Sequence, residues 1–185
     1  MFEKIIHLDK QLFVYLNGLG SESFDGLWLM ITKQAYWSPL FVVIFYLLYK
    51  KIGWKNFLLY IVFTAVLILV CDQTANLFKD HFQRLRPCND EEIKNIIRIV
   101  KSSDTFSFFS GHAANSMATT VFAFMILKRY YQHAYWLFLF PLVFAYSRIY
   151  LGLHFPTDIL TGYIIGGAFG FIFYKLYQKY ILKVA

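Results

Sequence analysis

The run "NFLLYIVFTAVLILVCDQTANLFK", Asn56 to Lys79, limits this chain more than any other stretch. As a helix it is about 35 Å long, enough to cross a hydrocarbon core of about 30 Å. It is apolar over most of its length, which suits lipid or other apolar helices around it. The rest of the chain agrees, with 58% hydrophobic and only 16% charged residues and a mean hydropathy of +0.49. A soluble domain carries about 25% charged residues. The fold class expected is all-α: a polytopic membrane helix bundle of five to six spans, residues 1–185 forming one integral-membrane domain.

Residues 1–20 read as an amphipathic helix. Ile5, Leu8, Leu12, Leu16 and Leu19 recur every three or four residues, with Glu3, Lys4, Lys10 and Gln11 between them. Such a helix suits the interface plane. A first span ends at Tyr49, its start blurred by Lys33, Gln34 and Pro39. After Asn56–Lys79, a polar loop runs from Asp80 to Ser110. Within it "NDEEIKNIIRIV" predicts a short capped helix with acidic residues in its first turn. Further spans are expected at Gly111–Leu127, Ala134–Tyr150 and Ile159–Tyr177. No cleavable signal is expected, because the first residues lack a basic stretch followed by a compact apolar core.

The net charge of +7 does not point to nucleic acid, because the basic residues sit at span ends. One side holds Lys50, Lys51, Lys55, Lys128, Arg129, Lys175, Lys179 and Lys183 and no acidic residue. That side is expected to be cytoplasmic. Cys71 and Cys88 form no framework and read as small buried or loop residues.

Alternating span directions then bring the polar span ends to the other, external face. Lys79, Arg84, Arg86 and Pro87 follow the second span, Ser110, Gly111 and His112 open the third, and Arg148 closes the fourth. His154 and Asp158 lie in the link to the fifth. Lys79, Arg86 and Arg148 are cations suited to phosphate oxygens. "SGH" at a helix start offers backbone N–H groups to the same anion, and Gly111 allows close approach. Asp158, four residues after His154, can hold one ring nitrogen and leave the other as a nucleophile. His112 can protonate a leaving oxygen. The sequence offers no carboxylate cluster for a divalent cation and no zinc pattern, so no cofactor is expected. The chemistry expected is phosphoryl transfer to His154 and hydrolysis of the phosphohistidine.

Asp72 and Asn76 are read as supporting polar contacts inside the bundle. Arg84 and His81 are candidates for headgroup contact or plain surface placement. Tyr150 reads as an interface aromatic. His7 and His133 read as interfacial.

Three motifs carry a family resemblance. "KDHFQRLRP" fits K-x6-R-P through Lys79, Arg86 and Pro87, "FFSGH" fits the core of P-S-G-H, and "SRIYLGLHFPTD" fits S-R-x5-H-x3-D. In this order, separated by spans, they resemble the type 2 phosphatidic acid phosphatase (PAP2) family, whose superfamily includes vanadium haloperoxidases and glucose-6-phosphatase. The resemblance covers about residues 56–175. It implies a six-helix-type bundle with a phosphate site near the membrane surface. Lys79, Arg86 and Arg148 would bind phosphate with Ser110 and Gly111; His112 would be the acid, His154 the nucleophile and Asp158 its partner. Phe109 departs from the family's Pro and is expected to reach the lipid.

The expected function is a lipid phosphatase in a bacterial inner membrane, its site on the periplasmic or external face and its partners lipid phosphates and membrane lipids. Undecaprenyl diphosphate or a broad set of lipid phosphates leads as substrate, with phosphatidylglycerol phosphate, phosphatidic acid and lipid A as alternatives. A non-catalytic lipid-phosphate binding or transport protein would need the cations alone. A vanadium haloperoxidase would be soluble and longer.

Overall fold

The computed structural model describes residues 2–184, with side chains from residue 3 to 181. Lys183, counted above at the basic end, has its side chain outside that range. The elements are α1 (Phe2–Gly18), α2 (Asp25–Ile31), α3 (Ser38–Phe82), α4 (Gly111–Leu127), α5 (Leu139–Tyr150) and α6 (Pro156–Val184), joined by short 3-10 turns.

α3 is two helices. Gly53 has φ 74° and ψ 168°, outside helical space, and there the chain doubles back. Phe45 then meets Phe57 with ring centroids 5.9 Å apart, and Tyr49 meets Trp54 at 6.3 Å. A straight helix would hold residues 45 and 57 about 18 Å apart. The arm over 54–82 is the span expected from Asn56 to Lys79. It ends on Gln83, whose left-handed conformation (φ 46°) lets its N–H reach the Lys79 carbonyl at 2.9 Å.

The blurred start of the first span has a structural cause. The arm over 38–52 rises only about 22 Å, with Pro39 in its first turn. α2 and the turn Gln34–Trp37 precede it. Trp37 packs edge-on against Phe140 at 4.7 Å and donates to the Ile31 carbonyl at 2.8 Å.

α4 is the central helix, packed against α3, α5 and α6. Its tightest partner is α6, through a ladder of Gly162, Gly166 and Gly170 against Ala113, Ala114 and Ala118. A methyl group on Gly162 would stand 2.7 Å from the Ser110 carbonyl oxygen. Without a hydrophobic force between helices in lipid, such small-residue contact is what holds them close. It fixes the start of α4 against the start of α6.

α1 turns its apolar stripe outward. Ile5, Leu8, Leu12 and Leu19 are about half exposed, while Asp9, Phe13 and Asn17 are buried. Its ties all fall at one end of the bundle: Asp9 on Thr157, Phe13 on Phe155, and Asn17 on the carbonyls of Ile149 and Tyr150.

The expected helix in "NDEEIKNIIRIV" is replaced by successive turns. Asp90 caps Glu92 locally at 3.0 Å, and Lys10 of α1 draws Asp90 (2.7 Å) and Glu92 (2.8 Å) aside. The Asn17 carboxamide then accepts the Arg98 N–H at 2.8 Å and donates to the Arg98 carbonyl at 3.1 Å. The backbone is spent on α1 instead of on a helix of its own. The long loop is also stitched to the α5–α6 link, Cys88 N–H to the Gly152 carbonyl at 3.2 Å and Lys101 N–H to that of Leu151 at 3.1 Å.

Candidate active site

The turn between α5 and α6 brings Arg148 and His154 together. The Arg148 carbonyl accepts the N–H groups of Leu153 (2.9 Å) and His154 (3.3 Å), closing the chain on itself. Gly152 makes the turn possible at φ 86°, with the Arg98 carbonyl so close that a methyl group would lie 3.1 Å from it.

His154 is 2% exposed, so its ring nitrogens must be accounted for within the protein. Nε2 lies 3.1 Å from Nη1 of Arg86. Arginine only donates, so Nε2 is the acceptor and the proton sits on Nδ1. Nδ1 is 3.4 Å from Oδ2 of Asp158, within ionic reach, but the alignment makes no hydrogen bond. The expectation of a firm His154–Asp158 bond is therefore met only as a contact. The cause is competition: Oδ2 already accepts the Phe155 N–H at 2.9 Å, and Oδ1 accepts Nη1 of Arg84 at 2.7 Å. Burial first, and then the cations Arg86, Arg148 and Lys79, hold the His154 imidazole well below its ordinary pKa, neutral at physiological pH.

Arg86 is aimed by the loop, its Nε and Nη2 on the Thr105 carbonyl and hydroxyl (2.8 and 2.9 Å) and Nη1 also on the Leu153 carbonyl (3.0 Å). Arg148 donates from Nη1 to the Thr32 hydroxyl at 2.6 Å, and its Nε is buried with no protein partner. Lys79 is partly buried at the end of α3, within electrostatic reach of Arg86, Arg148 and Asp72.

Ser110 caps α4, its hydroxyl accepting the Ala113 N–H at 3.4 Å. Its own N–H donates to the Asp158 carbonyl at 3.1 Å, so that donor is not free for an anion. Helix geometry leaves the N–H groups of Gly111 and His112 without intrahelical partners. The His112 ring stacks on Phe144 with centroids 5.3 Å apart and stands within electrostatic reach of Arg148, His154, Lys79 and Arg86. All eight residues singled out from the sequence thus gather at one end of the bundle.

Several expectations need correction. Phe109 does not reach the lipid: it is fully buried, packed with Phe78, Ala75 and Ala114 between α3 and α4. Arg84 is no surface residue, being bonded to Asp9, Thr157 and Asp158 and lying 4.0 Å over the Phe155 ring. Tyr150 is 3% exposed, its hydroxyl within hydrogen-bond distance of the Ser21 carbonyl (2.6 Å) and Asp25 (2.8 Å). Asp72, by contrast, makes the supporting polar contact expected of it, taking Asn115 of α4 at 2.7 Å and joining α3 to α4. Sequence reading missed Thr32, Thr105 and Asp9. Only Asp9 left a signal, as an acidic residue four before Phe13 on a helix whose apolar stripe lies elsewhere.

A cavity of about 250 Å³ runs into the bundle between α3, α4 and α5. Phe41, Phe45, Tyr60 and Phe140 wall it, Asp72 and Asn115 give it a polar patch, and Phe144 joins it to His112. Among the described residues, no three His, Cys, Asp or Glu side chains group as a metal site. What the arrangement offers chemically is a neutral imidazole ringed by fixed cations beside a helix N-terminus.

Residues 53–182 match the family model described as PAP2 superfamily. The chain is 36% identical over 187 residues to a lipid A 4'-phosphatase of Bacteroides thetaiotaomicron, covering 97% of this chain and 81% of that protein. It is 29% identical over 179 residues to a lipid A 4'-phosphatase of Porphyromonas gingivalis, covering 95% and 75%. In fold it is similar to a solved transmembrane PAP2 type phosphatidylglycerolphosphate phosphatase from Bacillus subtilis, with a TM-score of 0.69 at 19% identity over 98% of this chain and 88% of that one.

Proposed function

The chain belongs to the PAP2 superfamily, an integral membrane phosphatase by family and fold, and from that premise we propose that it removes a phosphate from lipid A or a closely related acylated sugar phosphate. The relative at 36% identity carries that activity in its name, and it spans nearly the whole chain. On this ground undecaprenyl diphosphate and phosphatidylglycerol phosphate give way to lipid A as the leading substrate. The observation that carries the mechanism is the Arg86–His154 contact, which leaves the Nε2 lone pair facing a guanidinium.

In this reading a phosphate enters among Lys79, Arg86, Arg148 and the first-turn N–H groups of α4. Its oxygens take the Arg86 N–H now shared with His154, and Nε2 is released to attack phosphorus. The P–O bond to the lipid breaks, and His112 gives its proton to the departing oxygen. The imidazole becomes cationic as it is phosphorylated, and the Asp158 carboxylate stabilises that charge. Water then attacks the phosphohistidine, His112 takes the water's proton, and inorganic phosphate leaves. The fixed cations stabilise charge on the equatorial oxygens in both steps. The cavity beside Phe144 receives an acyl chain while the headgroup stays at the site, and α1 rests its apolar stripe in the lipid interface. The basic end lies in the cytoplasm, placing the site on the periplasmic face.

The test is phosphate release by purified protein from lipid A, undecaprenyl diphosphate and phosphatidylglycerol phosphate, each with and without a chelator. Lipid A is expected to be the best substrate by kcat/KM, with release unchanged by chelator. No release from any of the three ends the enzyme reading, a different best substrate ends the lipid A assignment, and loss on chelation ends the metal-free mechanism.

A further inference from the structure

We propose that Asp9 and Arg84 are positioning residues for the His154–Asp158 pair, so that α1, outside the family-matched segment, sets the carboxylate that steadies the nucleophile. This rests on the functional reading above.

Arg84 is a bridge between two buried carboxylates. Nη1 donates to Asp158 Oδ1 at 2.7 Å and to the Thr157 hydroxyl at 2.8 Å, while Nη2 donates to Asp9 Oδ2 at 2.6 Å. Asp9 closes the ring by accepting the Thr157 N–H at 2.9 Å and its hydroxyl at 2.5 Å. The side chains of Asp9 and Asp158 are 2% and 0% exposed. The guanidinium plane also lies 4.0 Å from the centre of Phe155, the residue after His154. Every part of this ring therefore touches the start of α6 or the residue beside the nucleophile.

Docking α1 does not need this ring. Phe13 is fully buried against Phe155, Lys10 pairs with Asp90 and Glu92, and the Asn17 side chain makes four hydrogen bonds to backbone. A buried ion pair adds little to stability over apolar packing of the same volume, but removing one partner alone is strongly destabilising, so D9A and R84A are read only as folded proteins. What the ring does uniquely is hold Oδ1 of Asp158, leaving Oδ2 turned to the Phe155 N–H and to Nδ1 of His154. Without Arg84, Asp158 keeps the Phe155 N–H but loses the cation that holds Oδ1, its one ion-pair partner besides His154 among the described residues. It then gives less support to the imidazole as phosphoryl transfer makes that ring cationic. The phosphate contacts of Lys79, Arg86 and Arg148 do not involve Asp9 or Arg84, so binding is spared.

The experiment compares D9A, the near-isosteric D9N, R84A and R84K with N17A and K10A, in the purified full-length protein. Steady-state kinetics on lipid A are read beside the melting temperature and the nitrogen-15 spectrum of the histidines. D9A and R84A are expected to lower kcat by about 10–100-fold, the range for partners that orient a reacting group, with KM within about threefold. D9N and R84K are expected to fall between these and the parent. N17A and K10A are expected to lower the melting temperature but keep kcat within about twofold. The His154 Nδ1–H signal should move in D9A and R84A, folded by their melting curves, and stay in N17A. If D9N and D9A keep the parental kcat and spectrum, or if N17A loses kcat as much as D9A does, the positioning role is overturned. The spectrum reads the ring whatever the substrate, so a failure of the lipid A reading leaves this test standing.

Discussion

The two ends of the bundle carry cations in different ways. At the site end Arg84 is held by Asp9, Thr157 and Asp158, Arg86 by Thr105 and Leu153, Arg98 by Asp25, and Arg148 by Thr32. At the opposite end Lys51 lies over the rings of Tyr130 and Tyr131, Lys128 over Phe124, and Arg129 over Tyr174. Among the described residues none of these three enters an ion pair. Charges that orient a membrane protein need only reach the headgroups, and aromatic neighbours suffice to seat them. Charges meant to hold an anion must stand still, and Arg86 and Arg148 are fixed by acceptors from distant parts of the chain.

Substitutions at the two ends should therefore differ by orders of magnitude. His154→Ala should lower phosphate release by at least about 10³-fold, the scale for removing a nucleophile, measured against a folded control. Arg148→Lys and Arg86→Lys should each cost about 10²–10³-fold in kcat, because an ammonium cannot reproduce the guanidinium fork. Gly166→Leu should act through packing, forcing α6 off the Ala114 carbonyl. The overpacking penalty is about 1–3 kcal/mol, read as a lower melting temperature. The acid limb of kcat/KM tests the lowered His154 pKa. The nucleophile must be neutral, so its limb falls below the ordinary histidine value of about 6.5. A limb at or above that value contradicts the placement of His154 among cations. Lys51→Ala and Arg129→Ala should change stability by no more than about 0.5 kcal/mol and leave kcat as it was. A large loss in either would erase the distinction between the two ends.

Much of this arrangement is legible in the sequence because it is written locally. The apolar runs give the crossings, and alternation of direction brings Lys79, Arg86, His112, Arg148 and His154 to one face. What is illegible joins residues far apart. Arg84 meets Asp9 and Asp158 across about 75 residues on either side, and Arg148 meets Thr32 across 116. No local pattern encodes such pairs. α1 is an intermediate case. Periodicity finds its apolar stripe, but not that the stripe faces away from the protein, because buried Phe13 and the polar tie of Asn17 decide which side docks. The loop at 89–100 fails for the same reason, since its Asp90 and Glu92 answer to Lys10 of α1. The Gly162, Gly166, Gly170 ladder was there to be read as small residues four apart. Phe109 misleads because a bulky apolar residue beside a span end suits lipid and core equally.

In the proposed mechanism His154 attacks the phosphate and carries it. Rapid quenching of wild-type protein with phosphorus-32-labelled lipid A phosphate, followed by peptide mapping, tests it directly. An acid-labile, base-stable label is expected on the peptide containing residues 148–158, formed at least as fast as turnover and absent in His154→Ala. Turnover without a covalent label, or a label on His112, would contradict it.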